Sequence, residues 1–280
     1  MGKLSISRAW DEARAVLARD GRLLVTVALA LLVLPAIIVG AAIPGGIGAA
    51  MFMALQGQSV PMFALLFVVL VIMLVGQLAV TRLAIGPSVS VGGAIAHAVR
   101  RLLVYIGVGL LVGAAIMLAL IAGAIIIGLA SGPSVTQQQL ETSPAVAIAV
   151  LVMVLVYLFL LTRIISMAAA VTSAEHLGVI GTLRRCWSLT RGHFWRLFGF
   201  LVTFFIGTGI LLFAISSVVG LAAELLFGKL EPMAASTLVV GLVDGVASGA
   251  VTLLLWVMLA GIYVQLTSVA AQPTVPNSGI

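Results

Sequence analysis

A single carboxylate interrupts an otherwise uncharged apolar stretch near the C-terminus. Asp244 lies within the segment 235–267, about nine residues and therefore about 13 Å from its outer end if that segment is a helix. An ionised carboxylate near the middle of a bilayer costs about 2.5–3.5 kcal/mol, so this side chain should face protein or water. Ser248, one helical turn away, could donate a hydrogen bond to it. Asp244 is thus either a structural polar clamp or a proton or cation site in a lipid or solute pathway.

Small residues surround Asp244 at a spacing of one helical turn. They are Gly241, Gly245 and Gly249. Small residues four apart let two membrane helices approach closely, because no side chain separates their backbones. The spacing therefore predicts a helix-packing seam on this segment, which could also be the contact for a membrane-protein partner.

The other reactive side chains form no recognisable catalytic motif. The sequence contains no His-Glu-x-x-His, no nucleotide-binding Walker motif and no paired intramembrane carboxylates. Glu175 and His176 are adjacent, so on a helix their side chains point about 100° apart. Cys186 follows two arginines that could lower its pKa, although a small apolar residue on an interfacial helix is the simpler interpretation. We therefore predict no catalytic residue, no metal, no cofactor and no enzymatic activity.

The composition excludes a water-soluble domain. Of 280 residues, 63% are apolar and 8% are charged, whereas a soluble domain has about 25% charged residues. So few charges cannot cover a soluble surface, which makes the bilayer the solvent for most of the chain. The net charge of +6 does not indicate nucleic-acid binding, because the cations form no basic domain.

Six segments are long enough to cross a membrane, which takes about 20 apolar residues. They lie near 23–43, 60–82, 102–130, 144–167, 195–222 and 235–267. Pro35 should kink the first, and the stretch 44–59 is either a surface loop or a re-entrant turn. The predicted fold is an all-α, polytopic bundle of six transmembrane helices. It forms a single integral-membrane domain over 1–270, followed by a flexible tail at 271–280.

The positive charges gather on one side of this topology. Thirteen of the 14 Lys and Arg residues fall on the side of the N-terminus, and only Lys229 lies opposite. Positive residues stay on the cytoplasmic side of inner membranes. An even number of spans returns the C-terminus to the same side, so we predict that both termini are cytoplasmic.

Three amphipathic segments precede the first, third and fifth spans. They predict a pseudo-threefold repeat, over about 1–87, 88–172 and 173–270, of an amphipathic helix followed by a helical hairpin. Gly21 and Gly192 are the predicted C-terminal caps of the first and third helices. The apolar stripes are Ile6, Trp10, Ala13 and Leu17 in the first, Val91, Ala94, Ile95, Ala98 and Leu102 in the second, and Val179, Leu183, Cys186, Trp187 and Thr190 in the third.

These helices are expected to lie in the membrane interface with their arginines toward anionic headgroups. Alternatively, they only anchor the protein and fix its orientation. Arg82 and Arg163, at the ends of the second and fourth spans, are expected to extend toward the same headgroups. The candidate headgroup-binding residues are Arg8, Arg14, Arg19, Arg22, Arg100, Arg101, Arg184, Arg185, Arg191 and Arg196, and the candidate interfacial anchors are Trp10, Trp187 and Trp195.

One segment is distinctive enough to suggest a family. Residues 183–197 read LRRCWSLTRGHFWRL, and this segment resembles a stretch of the membrane domain associated with bacterial glycerophosphoryl diester phosphodiesterases and of YciC-like proteins. The resemblance implies a six-span, multi-pass protein of the bacterial inner membrane with similar amphipathic helices. In some members a soluble barrel carries the hydrolase activity. The 280 residues include no such barrel, so hydrolysis is not expected.

The leading functional prediction is a non-enzymatic inner-membrane protein that binds or organises lipid, or supports envelope homeostasis. Its expected partners are membrane lipids, especially those with anionic headgroups, and not nucleic acid. One alternative is a transporter or permease component for a lipid or small solute that uses Asp244. Another is an accessory subunit of a larger membrane complex that docks through the glycine seam on the sixth span.

Overall fold

A computed structural model describes residues 6–42, 60–86, 89–131, 144–228 and 234–271, and the regular structure in these ranges is entirely helical. The helices are α1 (Ile6–Ala28), α2 (Leu34–Ala42), α3 (Val60–Ile85), α4 (Val91–Ser131), α5 (Pro144–Leu160), α6 (Ser166–Ala174), α7 (Val179–Thr190), α8 (Phe194–Phe227) and α9 (Ala235–Ala271). Single π-helical turns join α1 to α2 and α5 to α6 without a break, at Leu29–Val33 and Leu161–Ile165.

Within the described residues, six helical stretches are long and apolar enough to cross a membrane. This confirms the predicted all-α, polytopic fold with six transmembrane helices. The alternatives for 44–59 fall outside the described residues, as does the tail beyond Ala271. The six stretches are Ser7–Gly40, Phe63–Ile85, Val91–Gly123, Val150–Ala174, Phe194–Phe227 and Ala235–Ser268.

The last helix, α9, makes extensive contacts within the bundle. It packs against α1, α2, α3, α6 and α8. Its buried side chains concentrate in its C-terminal half, where Val257, Leu259 and Ile262 are almost fully enclosed. They meet buried residues at the ends of α3 and α6, such as Val80 and Met167. We call this end of the bundle the basic end. It is formed by α7, by the C-terminal ends of α3, α6 and α9, and by the starts of α1, α4 and α8.

The interruption predicted at Pro35 takes the form of a π turn just before it. The Leu34 amide donates to the carbonyl of Leu29, five residues back. Proline has no N–H, and its ring collides with the carbonyl four residues earlier in a regular α-helix, here that of Leu31. The wider turn accommodates this collision. Gly76 on α3 faces the turn, and a Cβ at that position would lie 2.8 Å from Leu31 Cβ.

The prediction that Gly21 caps a separate first helix is wrong, because α1 continues through Gly21 into the first span. Ala9 and Ala13 before the glycine, and Leu24 and Val27 after it, are all buried. These residues form one stripe along a single helix, and packing that whole stripe against the bundle keeps the chain helical at the glycine. The N-terminal segment therefore continues the first span and is not a separate helix in the interface plane.

The second predicted amphipathic helix is likewise not a separate element. Residues 91–102 form the first turns of α4, which runs unbroken to Ser131. Ala94 and Ala98 of the predicted stripe are buried, and they belong to the protein core of the basic end. The stripe that was predicted to contact lipid thus contacts protein at Ala94 and Ala98.

The third predicted helix is separate. Its end at Thr190 is followed by Gly192 with φ = +90°, a conformation that glycine adopts without steric cost. The predicted cap at Gly192 is therefore confirmed. A compact turn, in which the His193 amide donates to the Thr190 carbonyl at 3.2 Å, then starts α8.

Candidate functional site

Asp244 contacts the fifth span. Ser216 Oγ on α8 donates a hydrogen bond of 2.6 Å to Asp244 Oδ1. Ser248 instead donates to the Gly245 carbonyl of its own helix at 3.3 Å, a common alternative for helical serine. The partner expected from the sequence is therefore replaced by one that is 28 residues distant. This geometry is that of a polar clamp between α8 and α9.

The glycine seam on α9 faces the first span. A Cβ at Gly245 would lie 2.5 Å from Ile37 Cγ1, and a Cβ at Gly249 would lie 2.2 Å from Val33 Cγ2. Gly241 lies opposite another glycine, since a Cβ at Gly40 would be 3.2 Å from Gly241 Cα. The seam is thus occupied by α2 and the π turn of the same chain. This contact leaves no room there for a partner helix.

The ten candidate headgroup-binding arginines divide into two groups. Arg101 and Arg185 are half-buried and make contacts inside the protein. Four of the exposed residues also have partners. Arg19 pairs with Asp20 at 2.7 Å, Arg14 lies over the Trp10 ring, and Arg8 and Arg196 each have an interaction of their own. The exposed group is Arg8, Arg14, Arg19, Arg22, Arg100, Arg184, Arg191 and Arg196.

A cluster of hydrogen bonds around the Glu175 carboxylate holds the linker between α6 and α7 in place. Glu175 Oε1 accepts a hydrogen bond from Arg185 Nε at 2.8 Å and another from Tyr263 OH at 2.9 Å. These two donors come from α7 and α9, so the single oxygen ties three parts of the chain together. An acceptor that receives a charged and a phenolic donor is well satisfied, which is typical of a structural role.

Arginines from the second and third spans fasten the same linker. Arg82 Nη1 donates to the Ser173 carbonyl at 3.2 Å, and Arg101 Nη1 donates to the Leu177 carbonyl at 3.3 Å. Arg101 Nη2 also contacts His176 Nδ1. The carbonyls near a helix end have no partner within the helix, so these arginines supply it. Arg82 is therefore turned toward protein and not toward headgroups.

Cys186 is not a reactive thiol. Its side chain is completely buried on the inner face of α7. Burial, and after it the nearby negative charge of Glu175, raise the pKa of the thiol to about 12. Arg185 lowers it less than these two effects raise it, because its guanidinium is paired with Glu175. The structure thus agrees with the simpler interpretation of this residue.

Arg163 lies in an aromatic cage at the basic end. Its Cζ is 4.8 Å from the ring centre of Trp187, 5.4 Å from that of Phe194 and 5.6 Å from that of Phe159. A cation within about 6 Å of an aromatic face gains roughly 0.5–2 kcal/mol. Its Nε and Nη1 atoms are nevertheless buried, and neither has a hydrogen-bond partner among the described residues.

A π turn presents Arg163 to this cage. The Ser166 amide donates to the Leu161 carbonyl, five residues back, so the Thr162 carbonyl loses its regular partner. The Ser166 hydroxyl replaces this partner, since its Oγ donates to the Thr162 carbonyl at 2.8 Å. Thr190 Oγ1, which donates to the Cys186 carbonyl at 2.9 Å, lies 3.3 Å from the Arg163 carbonyl. Single π turns are often found at functional sites in helices. Here the π turn, α7 and the start of α8 jointly fix the position of Arg163.

An apolar groove of about 300 Å³ begins beside the cage. It lies between α5 with its π turn and α8, and the exposed Tyr157 and Ile206 mark its opening to the outside of the bundle. Phe198 lines the groove and stacks on Phe194 of the cage, with ring centres 5.8 Å apart. The groove therefore adjoins the cage at Phe198, and Arg163 itself is not among the residues that line the groove.

Two of the predicted interfacial tryptophans are connected to the cage. Trp187 forms a wall of the cage, and Trp195, largely exposed, packs edge-on against Phe194 at 5.4 Å. Trp10 is partly exposed on α1. The cage itself was not predicted, although Phe159 and Arg163 are four residues apart on one helix and would be neighbours. The contribution of Trp187 depends on how α7 packs against the fourth span, and that of Phe194 depends on the direction in which α8 leaves the turn at Gly192. Local spacing defines neither.

The described residues contain no group of His, Cys, Asp and Glu side chains that could hold a metal ion. What the cage and groove offer is a cation with unsatisfied donors next to an apolar channel. Such a combination is suited to binding an amphiphile with an anionic group.

Comparison with known proteins identifies the family of the chain. No curated protein and no solved structure matches it. The profile of a family described as a domain of unknown function, DUF7847, matches residues 4–270. Because this match spans nearly the whole chain, the protein is a member of the DUF7847 family.

Proposed function

We propose that this protein binds and organises anionic phospholipid at its basic end without catalysing a reaction. The observation that carries the proposal is the distribution of arginine contacts. Arg22, Arg100, Arg184 and Arg191 are exposed, and their guanidinium groups make no hydrogen bond or ion pair to any described residue. Each cation near an anionic leaflet contributes about 1 kcal/mol of attraction. We call these four residues the arginine collar.

The proposal places the basic end at the cytoplasmic face of a bacterial inner membrane. Thirteen of the 14 Lys and Arg residues belong to this side of the topology, which favours cytoplasmic termini by the positive-inside rule. A reporter enzyme fused after Ile280 tests the orientation. It should be active only in the cytoplasm, and an external reporter would contradict the proposal.

Lipid enrichment around the reconstituted protein tests the binding. The protein is placed in nanodiscs of phosphatidylglycerol and phosphatidylcholine, and a headgroup-labelled anionic lipid reports its local concentration by energy transfer from tryptophan. Replacing all four collar arginines by glutamine should lower the enrichment severalfold, because about 1 kcal/mol per cation is lost. The matched variant with four lysines keeps the charge and should retain most of the enrichment.

Ionic strength provides a second measurement on the same samples. Exposed charges are screened over about 8 Å at physiological salt and about 3 Å at 1 M, so the enrichment should decrease as salt is added. An unmodified protein that shows no preference for phosphatidylglycerol would refute the proposal. Equal enrichment around the glutamine variant would refute the role of the collar.

A further inference from the structure

Arg163 differs from the collar arginines because it is held inside the protein. Three aromatic rings surround its guanidinium, and two of its nitrogen atoms are buried without a hydrogen-bond partner among the described residues. No carboxylate of the described residues lies within ion-pair distance of it. Aromatic faces attract the charge but do not accept its N–H groups in the way an anion does. The guanidinium is therefore held in place and is short of an acceptor.

The groove leads away from Arg163 toward the interior of the membrane. Thr162, directly before the arginine, lines its near end together with Phe198, and Tyr157 and Ile206 line its far end. At 1.5 Å per residue these positions span about 8–12 Å along the two helices. The groove volume of about 300 Å³ is at the lower end of the range of about 300–1,000 Å³ for ligand pockets.

We infer that the Arg163 cage and this groove bind one anionic glycerophospholipid of the adjoining leaflet. Its phosphate accepts hydrogen bonds from the guanidinium after a small shift of the aromatic side chains that cover Nε and Nη1. Part of one acyl chain occupies the groove between α5 and α8. Charge and polarity change in the same direction along the cage and groove and along the lipid, from ionic at the basic end to apolar inside. The inference rests on the proposed function, because it requires this end to face anionic lipid.

The cage also favours a particular class of headgroup. An aromatic cage binds a choline group when it is empty, but here the arginine fills it and would repel a second cation. A lipid without a positive group, such as phosphatidylglycerol, satisfies the guanidinium without that repulsion. The site is thus expected to prefer phosphatidylglycerol over phosphatidylcholine.

Native mass spectrometry of protein released from mixed-lipid nanodiscs tests the inference. The unmodified protein should retain one phosphatidylglycerol after the other lipids have been removed. Arg163→Gln should lower the retained fraction about tenfold, since a charge-assisted hydrogen bond is lost. Arg19→Gln is the matched control, because Arg19 is exposed, pairs with Asp20 and lies outside the collar, and this variant should retain the lipid.

A second pair of variants tests the groove without altering the arginine. Ile206 and Ile210 are both exposed on α8, one helical turn apart, and only Ile206 lines the groove. Ile206→Trp should fill the channel and lower retention about tenfold, whereas Ile210→Trp should retain the lipid. These exposed positions face lipid, so neither change burdens the packed core.

Three results would overturn the inference: unchanged retention in Arg163→Gln, equal retention in the two tryptophan variants, or equal retention of phosphatidylcholine and phosphatidylglycerol. They are distinguishable from failure of the proposed function. That failure would appear as loss of bulk anionic enrichment around the unmodified protein, whereas these three results concern only the single retained lipid.

Discussion

Replacing Gly245 by alanine should loosen the contact between the first and sixth spans. The new Cβ would lie 2.5 Å from Ile37 Cγ1 and 3.1 Å from the Ile37 backbone nitrogen. The side-chain atom can move, but the backbone nitrogen can move only with the whole of α2. Forcing an extra methyl group into a packed contact typically costs about 1–3 kcal/mol.

The same substitution at Gly113 provides the matched control. A Cβ there would meet nothing within 4 Å, and alanine is more favourable than glycine in a helix by up to about 1 kcal/mol. This gain applies to both helical positions and cancels, so the two variants should differ by the steric cost of about 1–3 kcal/mol in stability. Since about 1 kcal/mol shifts the Tm of a protein of 150–250 residues by roughly 2–4 °C, the difference in Tm should reach several degrees.

Thermal unfolding in mild detergent, followed by tryptophan fluorescence, measures this difference. Gly245→Ala should melt below the unmodified protein, and Gly113→Ala should melt at or above it. Adding Ile37→Ala to Gly245→Ala should recover part of the loss, because the nearest clashing atom is removed. Equal melting of the two alanine variants would refute the reasoning that the seam is a close backbone contact.

Three further predictions concern polar or reactive groups. At pH 8 the raised pKa leaves about one Cys186 thiolate in ten thousand, so maleimide should label the folded protein very slowly and the SDS-unfolded protein rapidly; equally fast labelling of both would contradict the burial. Ser216→Ala and Asp244→Ala should show a coupling of about 0.6–2 kcal/mol in a double-mutant cycle of unfolding, and zero coupling would argue against the clamp. Tyr263→Phe should cost about 0.5–1.5 kcal/mol and Glu175→Ala more, because the latter removes the acceptor of two hydrogen bonds; the reverse order in chemical unfolding would contradict the proposed cluster.

Features that depend on composition and local spacing were predictable from the sequence. The six spans follow from the length of the apolar segments, and the turn at Gly192 follows from a glycine after a short amphipathic helix. Gly21 has the same local signal but stays helical, because buried residues on both sides of it belong to one stripe. Whether a glycine ends a helix was decided here by tertiary packing.

The candidate site was less predictable because it depends on contacts between distant segments. Arg163 and Phe159 are neighbours by helical spacing, but the tryptophan that completes the cage is 24 positions further along the chain. Ser248, the donor predicted for Asp244, donates instead to a carbonyl of its own helix. Ser216 of the facing span donates to Asp244 in its place. Such contacts follow from how the helices pack and not from the spacing of residues within one helix.

The continuity of the first helix places its cations at different heights above the membrane. At 1.5 Å per residue, Arg8 lies about 21 Å along the axis from Arg22, and the whole stretch 6–42 measures about 55 Å, more than a hydrocarbon core of about 30 Å. The field of an anionic leaflet decays over a Debye length of about 8 Å. If Arg22 lies at the headgroups of an upright helix, Arg8 therefore lies beyond that field. The first helix, packed against the bundle at Ala9 and Ala13, thus spreads its cations over more than twice the distance within which the leaflet attracts them.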